Sequence, residues 1–307
     1  MSMTWRPATW SDVEPGLAIQ ANIRGDGLVG LKAALEAWKY LFHESFLISR
    51  ALEPSAPIQG HTRIGFGASL LVSSRFMDAE VANPQPDITS RIIASVHSGH
   101  SVAATRNEVA RADAGKGVDV VVLGAWWDEI LTPMERQDAR ILSVSSLVEA
   151  LAGFRIRRIL QETTCEPTRD FVLRSAEFRT IAEFPELGRT IHLMTRESAT
   201  VMPGSVGNVI FRIQKPLLRL RDSDQRLLLA ALGGATDAEL AAELGITSAA
   251  VKARWRSAFA RVAMAMPSLV DEADDREGRG TQKRHRVLAY VRSHPEELRP
   301  YDWTAKA

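Results

Sequence analysis

The sequence predicts an α+β N-terminal domain, a mixed sheet with helices, followed by an all-α C-terminal domain. Three observations carry this. Residues 1–195 alternate strand-like and helix-like stretches, as a mixed sheet covered by helices requires. Val118–Leu123 is an apolar β-branched run between Gly117 and Gly124, the pattern of a strand buried on both faces. After Leu220 the periodicity turns helical, and three short helical segments succeed one another with little chain between them.

Taken in order, Thr4–Pro7 is a short extended start and Ser11-Asp12 opens a helix. Leu31, Leu35, Trp38 and Phe42 recur at helical spacing, which makes Leu28–Phe42 an amphipathic helix. Phe46-Leu47-Ile48 and Ile64–Val72 read as strands, with Gly65 and Gly67 marking close backbone packing. Pro133–Ala152 is a helix with Ile141, Leu142, Val144, Leu147, Val148 and Leu151 expected inward, and Gly153 ends it. Phe154–Leu160 alternates as a strand. Residues 196–218 form a connecting segment whose Pro203-Gly204-Ser205 is turn chemistry, and Val209–Ile213 reads as a further strand.

The third region spans 219–266. Leu227, Leu228 and Ala231 form one apolar stripe, and Gly233-Gly234 closes that helix. Thr236 precedes Glu239 by three residues, the spacing of a reciprocal capping box. Leu240, Ala241 and Leu244 give the second helix a buried face, and Gly245 turns the chain. Thr247 caps a third helix with Val251, Trp255, Phe259 and Val262 inward. Two helices joined around a glycine turn make a helix-turn-helix, whose second helix enters the DNA major groove. Residues 267–307 form a basic helical tail, with Lys283–Ser293 helical, set off by the acidic break Asp271–Asp275. Its Arg276, Arg279, Lys283, Arg284, Arg286, Arg292 and Arg299 are expected to neutralise phosphates.

Composition bounds the function. With 38 Lys+Arg against 37 Asp+Glu in 307 residues, affinity for nucleic acid has to be local. One cysteine, Cys165, excludes an internal disulfide framework and a cysteine-cluster zinc site. The N-terminus lacks a signal-peptide pattern and no apolar run approaches the ~20 residues of a membrane span, so a soluble cytoplasmic protein without membrane contact is expected. His97 and His100 lack a third metal ligand, and His61 and His192 stand alone as surface or internally satisfied residues. Glu162 and Glu166 near Cys165 raise a thiol pKa rather than activate it. Trp126-Trp127 fits a core role better than a ligand pocket. No catalytic residue, metal or cofactor is assigned.

The chain carries two family resemblances. Leu220, Asp224, Leu227-Leu228, Gly234, Thr236–Ala241 and Thr247–Lys252 resemble the LuxR-type (GerE-like) helix-turn-helix of transcriptional regulators. That resemblance implies double-stranded DNA as partner and contacts from Thr247, Ser248, Ala250, Lys252, Ala253, Arg254 and Arg256, with a homodimer reading paired half-sites. The departures are Asp224, Ala250 and Arg254, where the family has Glu, Thr and His. In the N-terminal part, Trp5-Arg6-Pro7-Ala8-Thr9 with Asp12, Ile64–Ala68, Val118–Leu123 and Ala152–Arg155 resemble a degenerate fold of the GNAT superfamily of N-acyltransferases. GNAT enzymes hold the coenzyme A diphosphate on a glycine-rich turn after the central strand. Here that place is taken by Gly124-Ala125-Trp126-Trp127-Asp128-Glu129, which puts acyl-CoA binding in doubt. The main expectation is therefore a DNA-binding transcriptional regulator controlled by an N-terminal domain that binds a small-molecule effector or dimerises. The alternative is a GNAT-type N-acyltransferase with an appended DNA-binding domain.

Overall fold

A computed structural model of the chain describes residues 2–24, 28–164, 166–175, 177–199, 206–270 and 279–304. Cys165, Pro203–Ser205, Asp271–Asp275 and Arg276 lie outside the described residues. The chain runs β1 (Met3–Pro7), α1 (Trp10–Arg24), α2 (Leu28–Glu44), β2 (Leu47–Pro54), β3 (Gly65–Val72), α3 (Ser74–Ala82), α4 (Ile88–His97) and α5 (Arg106–Ala114). It continues through β4 (Val118–Trp127), α6 (Pro133–Leu151), β5 (Ile156–Thr163), α7 (Glu166–Ser175), β6 (Arg179–Phe184), β7 (Arg189–Thr195), α8 (Arg196–Ala199) and α9 (Val206–Ile210). The C-terminal part adds α10 (Asp222–Ala231), α11 (Asp237–Glu243), α12 (Ser248–Ala265) and α13 (Arg279–Ser293).

The strands form one seven-stranded sheet in the order β1-β2-β3-β4-β5-β7-β6. Every neighbouring pair is antiparallel except β4 and β5, which run parallel. The α6 helix supplies the crossover that a parallel pair needs. Alternation along the strands divides the apolar side chains between two cores. Val121, Leu123, Leu160, Ile191 and Leu193 meet Val13, Leu17, Trp38 and Ile92 on one face. Val118, Val120, Ile156, Ile159 and Met194 meet Leu151, Phe154, Ile210 and Phe211 on the other. The mixed sheet expected from the sequence is thus present.

Several local expectations change. β4 continues through Gly124–Trp127, where a loop was expected after Leu123, because Trp126 and Trp127 pair with Phe66 and Gly65 of β3. Val209 and Ile210 belong to a helix rather than a strand, and Ala199, Ile210 and Phe211 join the second core. Ile141 is half exposed, whereas Ala139, Ser146, Ala150 and Leu151 form the buried stripe of α6. Apolar spacing placed the helix and most of its inward face, since Leu142, Leu147, Val148 and Leu151 pack against the cores; Ile141 is the exception.

The C-terminal helices share a core of Leu227, Leu228, Leu240, Val251, Trp255 and Val262 with Val287 and Val291 of α13. The Thr236–Glu239 capping box forms, and Thr247 Oγ1 accepts from the Ala250 N–H at 3.2 Å. The C-terminal helices also touch the sheet-containing part at specific points. Arg299 donates to the carbonyls of Ala150 and Ala152 and lies 4.3 Å over the Phe154 ring. Arg106 of α5 pairs with Asp222 and donates to Gln225, and the Asp302 N–H donates to Ala110 at 3.1 Å. Gly153 (φ +85°) lets the Pro295–Glu296 backbone approach so closely that a Cβ would lie 2.4 Å from Glu296 N. The tail therefore clasps the end of α6. No helix among the described residues is long and apolar enough to cross a membrane.

Candidate functional site

The site begins with an irregularity in β4. Pairing to β3 runs Gly65↔Trp127 through Ala68↔Gly124 and then resumes at Ser69↔Val122, so Leu123 is an extra residue. This is a β-bulge, which bends the strand and re-aims the residues beyond it. Gly124 takes φ +145°, a conformation in which a Cβ would sit 2.5 Å from the Trp126 ring. Thr89 Oγ1 donates to the Leu123 carbonyl at 2.7 Å and holds the bulge from α4.

Beyond the bulge, β4 and β5 part. Their parallel pairing covers Val118–Val122 against Ile156–Gln161 and stops there, while both strands continue. A cavity of about 940 Å³ fills the wedge, near the top of the roughly 300–1,000 Å³ typical of small-molecule sites. Val122–Trp127 of β4 and Gln161–Thr163 of β5 form its sides. Thr89 and Ser90 of α4 line it from one face of the sheet, and Arg140, Ser143 and Leu147 of α6 line it from the other. The cavity therefore passes through the sheet.

Its walls differ in character. Toward α7 and α9 the lining is apolar, with Val172, Phe178, Met194 and Ile210 joined by Leu147, whereas α6 also contributes Arg136 and Arg140. Toward α4 it is charged. Glu162 accepts from the main-chain N–H groups of Asp87 and Ile88 at 2.8 and 3.1 Å, and Arg189 pairs with both Asp87 and Glu162. Arg140 lies 5.6 Å over the Trp127 ring, and its buried Nε has no hydrogen-bond partner. Arg136 holds the chain before α6 by donating to Leu131 and Glu129 carbonyls. Trp126 stacks on Phe66 and packs against the first core, and Trp127 flanks Arg140 and packs near Leu52 and Leu131, as the preferred core role requires; both also line the cavity.

The start of α6 offers no diphosphate cradle. Pro133 has no N–H to give, Thr132 caps the helix, and Glu135 Oε2 accepts from Thr132 N and Oγ1 at 2.9 Å. Those bonds lower the Glu135 pKa, so a carboxylate occupies the place where free N–H groups would meet phosphate.

His192, expected to be a surface or internally satisfied residue, lies on β7, the next-to-last strand, fully buried between β5 and β6. Its Nε2 is 2.9 Å from Thr163 Oγ1 and its Nδ1 is 3.4 Å from Thr180 Oγ1. Burial, aided by the charge of Arg169, pushes the imidazole pKa down to about 4, so the ring is neutral at pH 7. No sequence signal identified this pair, because the partners lie 29 and 12 residues away. His61 is half exposed beside Asp128, and His97 and His100 are exposed around the end of α4. Among the described residues no group of three or more His, Cys, Asp or Glu side chains could hold a metal ion.

The residues expected to meet DNA lie together around the start of α12 and away from the cavity lining. Thr247, Ser248, Lys252, Ala253 and Arg256 are exposed, and Ala250 and Arg254 are partly buried. The basic tail is not a free arm. Arg284 forms a two-pronged pair with Asp237 and stacks 4.7 Å from Trp255, Arg292 donates to the Leu232 carbonyl, and Arg299 is engaged at α6.

No protein-family model and no curated protein matches the sequence. Six chains of solved structures resemble this one, among them the following three. The NatC complex bound to Gag peptide and CoA aligns at 10% identity and TM-score 0.35, covering 64% of this chain and 99% of its own. FeeM, an N-acyl amino acid synthase from uncultured soil microbes, aligns at 12% and 0.37, covering 66% and 96%. The C-terminal condensation domain of Ebony in complex with β-alanyl-dopamine aligns at 11% and 0.40, covering 64% and 99%. Superposition this loose assigns no reaction to the chain. A synthase, a CoA-bound complex and a condensation domain are nevertheless not what the main expectation called for, and the transcriptional-regulator reading is corrected here.

Proposed function

We propose that the α/β part of the chain is an N-acyltransferase that moves an acyl group from a thioester to an amine. The observation that carries this reading is the wedge, where the one parallel strand pair parts beside a bulge and opens onto a cavity reaching both faces of the sheet. Past Val122, β4 has no β5 partner, so its main chain borders the cavity. An extended, amide-bearing thioester can lie along such an edge as an added strand does. Main-chain N–H groups there are fixed donors for the oxyanion that develops when the thioester carbonyl is attacked. The amine enters from the opposite face, and holding both reactants in one passage supplies the proximity that amide formation needs.

The apolar wall formed by Leu147, Val172, Phe178, Met194 and Ile210 suits the acyl chain. Arg136 and Arg140 are the cations on the α6 side, and they replace the missing helix N-terminus as the charge available to an anionic donor tail. In the reaction the amine nitrogen bonds to the acyl carbon, the carbon–sulfur bond breaks, and the sulfur leaves as a thiol. The test is thermal unfolding with acetyl-CoA or octanoyl-CoA, then mass spectrometry of mixtures with a panel of amino acids and polyamines. A donor at about a hundred times its Kd stabilises by roughly 2.7 kcal/mol. The expected result is a rise in Tm of several degrees with at least one thioester, and an amide product. No shift with either thioester and no amide would overturn the reading.

A further inference from the structure

Transfer to an amine that arrives as an ammonium ion releases one proton net, and this proton has to pass from the reacting amine, flanked by donor and sheet, to solvent. Resting on the acyl-transfer reading, we propose that Thr163, His192 and Thr180 form a proton relay from the cavity to solvent at the β6 edge of the sheet. Thr163 lies on β5 two residues past the last β4–β5 pair, lines the cavity, and is 3% exposed. His192, on the neighbouring strand β7, is sealed from solvent, yet each ring nitrogen faces a hydroxyl. Thr180 sits opposite His192 on β6, the last strand of the sheet, and is exposed. Three groups on three adjacent strands thus join an internal wall to the surface.

The chemistry has one consistent direction. Nδ1 carries the ring proton and donates to Thr180 Oγ1, leaving the Nε2 lone pair to accept from the Thr163 hydroxyl. When the ammonium gives its proton to Thr163 Oγ1, Thr163 passes its own to Nε2, and the Nδ1 proton moves to Thr180 and out. The amine is left with the lone pair that attacks the thioester carbonyl. Thr163 Oγ1 also lies 3.4 Å from the Thr190 carbonyl, which accepts its hydroxyl once Nε2 is protonated; after product release, water in the cavity takes the Nε2 proton through Thr163 while Nδ1 regains one from solvent through Thr180. The groups facing the imidazole are Gln161 and Thr163 from β5, Thr180 from β6 and Arg169 from α7. None of them is a carboxylate that would trap an imidazolium. Burial and Arg169 keep the ring neutral, so a proton crosses it without being stored.

The experiment compares wild type with Thr163→Val, Thr163→Ser and Thr180→Val in acyl transfer from octanoyl-CoA, with Tm and octanoyl-CoA binding measured alongside. Positioned proton transfer contributes about 10²–10⁴-fold. Thr163→Val is expected to lose about 10²-fold in kcat at unchanged donor affinity, at a temperature well below its somewhat lowered Tm, with Thr163→Ser restoring most of it. Thr180→Val, at the surface, should lower kcat by a smaller factor and enlarge the solvent isotope effect. Full activity in Thr163→Val would overturn the relay and leave the acyl-transfer reading standing. An inactive wild type counts against that reading instead, and the relay is then judged by ¹⁵N spectroscopy of the imidazole. A ring protonated on Nδ1, whose exchange slows in Thr180→Val, supports the relay. A ring protonated on Nε2 overturns it.

Discussion

Asp113 closes helix α5 with its carboxylate inside the protein, accepting from the Arg155 N–H at 2.6 Å. Burial raises its pKa to about 6, although Arg299, Arg155 and Arg196 pull the other way. Between the unfolded value near 4 and the folded value near 6, the native state therefore holds more protons than the unfolded chain. Stability from this group is present below about pH 4 and is lost as pH rises through 6. The shift corresponds to something on the order of 2–3 kcal/mol. Asp113→Asn keeps an oxygen to accept from Arg155 and removes the titration. Urea unfolding at pH 4 and pH 7 should show the variant gaining on wild type by that order at the higher pH. A constant difference between the two proteins would contradict the assignment. Residues of this kind are where sequence reading reached least. Asp113 and His192 owe their properties to neighbours brought in from distant strands and helices, and nothing in their local sequence marks them.

At the level of elements, the wedge depends on Gly124. A side chain there would need a positive φ that residues other than glycine seldom adopt, and its Cβ would strike the Trp126 ring. Gly124→Ala should cost about 1–3 kcal/mol in strain. Relief comes by straightening β4, which narrows the passage, so donor binding should fall by more than the loss of stability explains. Thermal unfolding with and without octanoyl-CoA checks both effects, and an unaltered ligand shift would separate Gly124 from the site. The sequence showed β4 itself through the run Val118–Leu123, and it showed α6 through its helical spacing and the Gly153 that ends it. The bulge was not legible, because Gly124-Ala125-Trp126-Trp127 interrupts the apolar run and reads equally as a turn. Only the pairing of Trp126 with Phe66, 60 residues earlier, reveals a strand there. The resemblance of the N-terminal part to a GNAT fold took Gly124–Glu129 as the place of a lost diphosphate turn and did not identify the cavity. Local agreement of α10, α11 and α12 with a regulator pattern pointed away from it, since capping and apolar stripes report helix geometry and not what the helices do.

Across the whole molecule, the C-terminal helices and the sheet are joined through a few specific contacts rather than one continuous core. The cluster around Val251 and Trp255 is separate from the one around Val120 and Phe154, and Arg299 bridges them. Desolvation lowers the Arg299 pKa to about 10, still well above neutrality, so it clasps the Ala150 and Ala152 carbonyls as a cation at pH 7. Its hydrogen bonds close the end of α6, the helix whose other side chains line the cavity. Removing the guanidinium in Arg299→Ala strips a donor from two carbonyls, each costing about 1–3 kcal/mol if left unsatisfied, and frees the tail from Phe154. The loss falls on the junction, so the two cores should uncouple. Calorimetry is expected to show one transition in wild type and two in Arg299→Ala, with only the sheet-containing one raised by octanoyl-CoA. The double variant Lys252→Ala/Arg256→Ala, changed on the exposed face of α12, should keep the single transition and full ligand response. If Arg299→Ala also melts as one unit, the cores are coupled through Arg106, Asp222 and Gln225 instead, and the clasp at α6 is not what makes the chain fold as a whole.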